Sequence, residues 1–128
     1  GQLDLARDAA RRLDQIHQLL VDRKDSYWSD QVEIQRLSVA AWLALAEKKG
    51  DEALAAMRAA TTLEASTDKH PVTPGAIIPA RELLAEMLLD AGHSDEALAE
   101  VQQVLRDAPG RRNALLLAER ARRTQGSK

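Results

Sequence analysis

Apolar side chains recur along this chain at steps of three and four residues, the spacing that lines one side of an α-helix. Ala6, Ala9, Ala10, Leu13, Ile16 and Leu20 form the first such row and predict a helix over about 3–21. A polar connector, 22–29, follows. Ser29 or Asp30 supplies an N-cap for a second helix over about 30–49, and Glu33 stands where it completes an Asp-x-x-Glu capping box. Residues 37–46 of this helix are apolar nearly all round, which predicts the buried centre of the domain.

Gly50 is expected to end the second helix in the left-handed conformation, with Asp51 and Glu52 favouring the positive end of a third helix over about 51–65. Its inner row is Ala53, Leu54, Met57, Ala60 and Leu63. Pro71, Pro74, Gly75 and Pro79 then interrupt the pattern, making 66–78 the longest irregular connection. A fourth helix is expected over about 76–91; Thr73 could cap it with Pro74 in the first position, but Pro79 would then sit inside the helix, so a start at Pro79 fits equally. It carries Leu83, Leu84, Met87, Leu88 and Ala91 and stops at Gly92. Ser94 is expected to cap a fifth helix over 94–107, carrying Ala97, Leu98, Val101, Val104 and Leu105. Pro109 and Gly110 close it, and a sixth helix over about 111–124 turns Leu115, Leu117 or Ala118, and Ala121 inward. The pattern holds no strand candidate, so the fold class expected is all-α.

Composition agrees: the apolar 45% comes mostly from Ala and Leu, with no Phe, one Tyr and two Trp. Such a set favours closely packed helices over strands. At 128 residues one folded domain is expected, 1–128. The absence of Cys removes disulfides, thiolate nucleophiles and Cys-containing zinc sites while leaving cytoplasm and periplasm both open. The longest apolar stretch, 39–46, is far shorter than the roughly 20 residues that span a bilayer, so no membrane partner is expected. A chain opening on Gly1 inside a helical pattern reads as a piece of a longer protein, in whose missing part any signal peptide would lie.

Self-similarity then changes the picture. From Pro79 to Arg111, Leu84 takes a large apolar site in a first helix, Gly92 the turn, Ala97 a small site five residues on, and Pro109 the end of a second helix. This resembles the tetratricopeptide repeat, of about 34 residues. Gly1 and Ala6 repeat the Gly92–Ala97 step, so helix one resembles the second helix of a repeat; helices two and three resemble another repeat, with Trp42 and Ala53 at the key sites, although Gly50 lies only three residues before Ala53. Helix six resembles a further first helix, with Gly126 where the turn would fall. Leu88 and Val101 stand where the family has aromatics, and Ala85 at its second small site. Residues 27–37 and 69–75 also resemble the C-terminal part of larger bacterial tetratricopeptide proteins of unassigned function. The resemblance implies tandem helical hairpins in a right-handed superhelix of six helices.

No residue set points to catalysis, metal or cofactor. His17, His70 and His93 lack the i, i+4 spacing of zinc sites, and His93-Ser94-Asp95 are neighbours whose side chains point apart, unlike a triad. Glu82, Glu86 and Asp90 stack along helix four, but a shallow groove gives no pocket to raise a carboxyl pKa. Seven basic side chains against two acidic give residues 106–128 a net charge of +5, leaving −7 elsewhere; without interleaved aromatics this basic end does not suit nucleic acid.

Binding is therefore the expectation: a non-catalytic scaffold holding a peptide or partner protein in a concave groove. In the resembled family the first helices line that groove, which implies Leu37, Ala44 and Lys48, then Glu82, Glu86 and Asp90, then Asn113, Arg120 and Arg123, a row running from acidic to basic. Glu82 and Glu86 stand where the chaperone-tail binders of the family carry basic or amide residues, so that role is not implied. Tyr27, Trp28 and His70 form a candidate patch beside the 66–78 loop, though Trp28 and Pro71 equally serve as covers for the core ends, and Trp42 is expected inside. The alternative is a structural or capping segment of a longer solenoid, or a self-association module acting through its end helices. Its sign would be an exposed apolar face on helix one or six.

Overall fold

The computed structural model describes residues 1–67 and 79–126. They form six α-helices and no strand: α1 (Gln2–Asp22), α2 (Ser26–Ala46), α3 (Gly50–Ser66), α4 (Ala80–Asp90), α5 (Ser94–Asp107) and α6 (Arg112–Gly126). The all-α expectation holds. The chain divides into two compact units, Gly1–Ala76 and Ile77–Lys128, each with its own helix packing. The boundary falls in the proline-rich connector of the sequence.

In the first unit α1 packs on α2 and α2 on α3. Arg7 reaches Glu47, Asp14 reaches Arg36, and His17 lies 3.4 Å from Glu33, so α1 and α2 run antiparallel. Ile34 and Ala41 of α2 meet Ala53, Met57 and Ala60 of α3 in the buried interior, where small side chains let the backbones approach. In the second unit α4 and α5 form a hairpin and α6 packs against both. Leu84, Ala85, Met87 and Leu88, with Ala97, Val101 and Val104, and Ala114, Ala118 and Ala121, make its core. The most buried helix is thus α4, with seven of its eleven residues covered, and not α2, with four of twenty-one. The reason is topological: α4, α5 and α6 close a triangle, whereas no α1–α3 contact occurs among the described residues, so the first unit is an open row. Trp42, expected inside, is only half-buried for the same reason.

Three turns share one construction. Lys24 (φ 58), Lys48 (φ 63) and Gly92 (φ 87) each adopt the left-handed conformation at a helix end. In each, the next N–H reaches back five residues, Asp25 to Leu20, Lys49 to Ala44 and His93 to Leu88, at 3.0, 2.8 and 2.8 Å. These are Schellman closures. Five residues beyond each left-handed residue stands a small buried one: Ser29, Ala53 and Ala97. Lys48, not Gly50, therefore ends α2; Gly50 already lies inside α3. The first turn closes so tightly that α2 begins at Ser26, with the Asp25 side chain accepting from the Trp28 N–H at 3.2 Å, so the cap expected at Ser29 or Asp30 is superseded. Pro79 is the N-cap of α4, which settles its start at the later of the two expected sites. Ser94 does not cap α5: His93 holds the cap position, and Ser94 is the first helical residue.

Two inward rows also shift. On α1 the half-buried row is Ala6, Ala10, Leu13, His17 and Leu20, while Ala9 and Ile16 are exposed. On α6 Ala114, Leu117, Ala118 and Ala121 face the core and Leu115 faces solvent.

Candidate functional site

The candidate groove residues of α4 and α6 lie on one face of the second unit, because α6 docks beside α4 in a register fixed by two bridges. At one end Asn113 Nδ2 donates to Glu82 Oε1 while Arg111 Nε donates to Glu82 Oε2. At the other, Arg120 Nη2 donates to Asp90 Oδ1 at 2.6 Å. Two of the three α4 carboxylates of the expected row, Glu82 and Asp90, are thus matched by donors from α6 and the turn before it.

Glu82 is 1% exposed and both its oxygens are engaged, so no partner reaches it. Its role is cohesion. A buried carboxylate must be compensated by charge and hydrogen bonds, and Arg111 and Asn113 supply both. Asp90 and Arg120 remain about half exposed, a surface pair screened by water. Glu86, between Glu82 and Asp90, is half-buried and makes no ion pair among the described residues. Leu116 is 53% exposed on α6, and the two bridges set it level with Glu86. Arg123 is exposed one turn beyond Arg120.

The remaining candidates belong to the first unit. Lys48 is exposed but serves as the α2–α3 turn residue. Tyr27 and Trp28 sit at the start of α2 with ring centroids 5.1 Å apart, edge to face, and Trp28 is 48% exposed, so it does not cover the core as a buried residue would. His70 and Pro71 lie outside the described residues. Leu37 and Ala44 are half-buried along α2.

Between α1 and α2 runs a chain of charged groups. Arg36 Nε donates to Asp14 Oδ1 at 2.6 Å and its Nη1 donates to Glu33 Oε2, which also faces His17. Hydrogen bonds to Asp14 first, then Glu33, hold the Arg36 pKa above its usual value. At the α2–α3 turn, Glu47 is held below the ordinary carboxylate pKa, chiefly by its hydrogen bond and attraction to Lys49, whose own pKa is raised in return.

This chain lines one edge of the α1–α2 contact; the other edge is bare. Leu5, Ile16 and Leu19 are 70%, 46% and 49% exposed. At 3.6 residues per turn they form a stripe about 100° round α1 from the row that meets α2. None of α1 is fully buried. The sequence reading placed Ile16 inside because its row was wide enough for two neighbours; the signal for two faces was the apolar Leu5 and Leu19 on the flank. Among the described residues no three His, Asp or Glu side chains gather as metal ligands would. The Ser94 hydroxyl is buried without a partner among the described residues while His93 is exposed and 4.0 Å from Glu96, so His93, Ser94 and Asp95 do not converge.

No family model, curated protein or solved structure matches this chain.

Proposed function

We propose that the chain is a non-catalytic protein-interaction module of tetratricopeptide-like hairpins, and that its main contact is made by the outer face of α1 with an amphipathic helix of another polypeptide. The observation carrying this reading is the exposed stripe of Leu5, Ile16 and Leu19. A helix with one apolar row on its hairpin partner and a second row in water is built for two neighbours. The repeated left-handed turn with a small residue five positions on supports the hairpin assignment.

A photo-cross-linking residue at position 16 tests the reading, with the same residue at Gln18, on the opposite edge of α1, as control. Adducts to another polypeptide from position 16 and not from 18 are expected. Equal yields from both would end the proposal.

A second reading keeps the α4–α6 face as a peptide groove. It is favoured by Glu86, which lies level with the exposed Leu116 and offers a carboxylate beside an apolar side chain. The occupant would be a peptide presenting Lys or Arg next to Leu. Glu86→Lys should abolish binding of such a labelled peptide, and unchanged binding would remove the groove.

A further inference from the structure

The apolar stripe of α1 continues across the hairpin onto α2. The bridges Asp14–Arg36 and His17–Glu33 occupy one edge of the α1–α2 contact. At about 100° per residue, the arc of α2 beyond Arg36 passes Ser29, Leu43 and Val32, all buried or half-buried, and reaches Trp28, Gln35 and Trp42 on the opposite edge. Helices in contact share their edges, so these three lie on the same side of the hairpin as Leu5, Ile16 and Leu19. Trp28 is 48% exposed, Gln35 is exposed and Trp42 is half-buried. They stand seven residues apart and none is charged. With Asp14 opposite Arg36 and His17 opposite Glu33, Ile16 comes level with Gln35. The two helices thus form the walls of one apolar groove.

The second unit has a helix in the corresponding place. There α4 and α6 both pack on α5 and on each other, and Ala97, Val101 and Val104 of α5 are 0%, 0% and 5% exposed. On α1 the row with the same spacing, Ala6, Ala10 and Leu13, is only half-buried, with α2 its one neighbour among the described residues. A third helix laid between α1 and α2 covers this row, the flanking stripe and both tryptophans together, and closes the triangle that α4, α5 and α6 make. Arg12 stands midway along the α1 wall, seven residues from both Leu5 and Leu19, exposed and without an ion pair among the described residues. The neighbouring carboxylate, Asp8, is bonded to Arg11.

We infer that the groove takes a helix of another polypeptide that packs on α1 and α2 at once, turning an apolar row inward and setting a Glu or Asp against Arg12; this rests on the proposed role of the α1 face. The α2 wall adds no charge, so Arg12 alone gives the groove its sign. A partner with Lys or Arg at that point is rejected, because like charges brought together in a contact that excludes water repel strongly.

The chain has two Trp residues, both on this edge, so their fluorescence reports on the groove directly. The probe is a Trp-free helical peptide of the length of α1, with Leu and Ala at i, i+3, i+4 and i+7 and one Glu midway along the flank of that row. Anisotropy of a labelled copy should show saturable binding, and the unlabelled peptide should shift tryptophan emission to the blue and protect it from acrylamide. Arg12→Glu should weaken binding roughly tenfold, and replacing the peptide's Glu by Lys should restore it. Arg12 is exposed, so circular dichroism of the variant should match the parent. Binding that leaves the tryptophan emission unmoved would put the peptide on α1 alone, overturning the groove while the role of the α1 face stands. Binding indifferent to the Arg12–Glu pair would overturn the acidic partner. Tryptophans shielded without peptide, in proportion to chain concentration, would make a second copy the occupant and overturn the assignment. Absence of binding ends the groove; if position 16 also cross-links nothing, the α1 reading falls with it.

Discussion

Lys48 stands in the left-handed conformation five residues ahead of Ala53, which is wholly buried where α3 crosses α2. The turn reverses the chain in one residue, and the crossing it creates is so close that only a small side chain fits. A non-glycine residue held left-handed costs about 1 kcal/mol. Lys48→Gly should therefore stabilise the first unit by about that amount, a rise of roughly 4 °C in its thermal midpoint. Ala53→Leu should do the reverse, by about 2 kcal/mol of overpacking. Thermal unfolding followed by circular dichroism measures both, and a Lys48→Gly midpoint below that of the parent would refute the turn assignment.

Neighbouring carboxylates of α4 should behave differently. Glu82→Ala removes two charge-assisted bonds from a buried site and is expected to cost about 2 kcal/mol. Glu86→Ala, at a half-buried position without an ion pair, should stay within about 0.5 kcal/mol of the parent. Urea titration compares them; equal losses would mean that Glu82 contributes no cohesion beyond its place on the helix.

The buried Ser94 hydroxyl has no hydrogen-bond partner among the described residues. Replacing it by a hydrogen relieves an unsatisfied polar group and creates almost no void, so Ser94→Ala should be neutral or up to about 1 kcal/mol stabilising. If the variant were clearly less stable, the hydroxyl would have to be bonded in solution.

Because Lys49 and Arg7 lower the pKa of Glu47, this carboxylate favours the folded state above its unfolded pKa, and the contribution disappears as pH falls through the lower folded value. The group is exposed, so salt should screen the effect. In an NMR titration Lys49→Met should move the Glu47 midpoint up towards the ordinary carboxylate value; an unmoved midpoint would show that Lys49 is not the cause.

How far the candidate site was legible depended on the residue. Ala53, Ala97 and Ala85 were expected at small sites through the resemblance to a helical repeat, and all three are fully buried. The left-handed Lys24 and Lys48 were not legible, since lysine has no preference for that conformation and glycine stood nearby at position 50. Glu82, Glu86 and Asp90 were visible as a stacked row, yet nothing local distinguishes the one that is buried. That difference depends on which donors α6 brings alongside, and Arg111 and Asn113 lie about thirty residues away in sequence.

The sequence by itself determined the helices, their number and the centre of the core rows, Ala53, Met57 and Ala60 on α3, Leu84, Met87 and Leu88 on α4, and Ala97, Val101 and Val104 on α5, whereas the expected Ala91 is exposed; hydrophobic period and helix-breaking residues act over a few positions. Only the tertiary structure decided which rows have a neighbour. Ile16 and Leu115 satisfy the same periodicity as Leu13 and Leu117, but α1 packs on α2 alone while α6 turns its alanines and Leu117 to α4 and α5. An amphipathic pattern states that a face is apolar; what covers that face is set by contacts between distant segments, and local spacing carries no record of them.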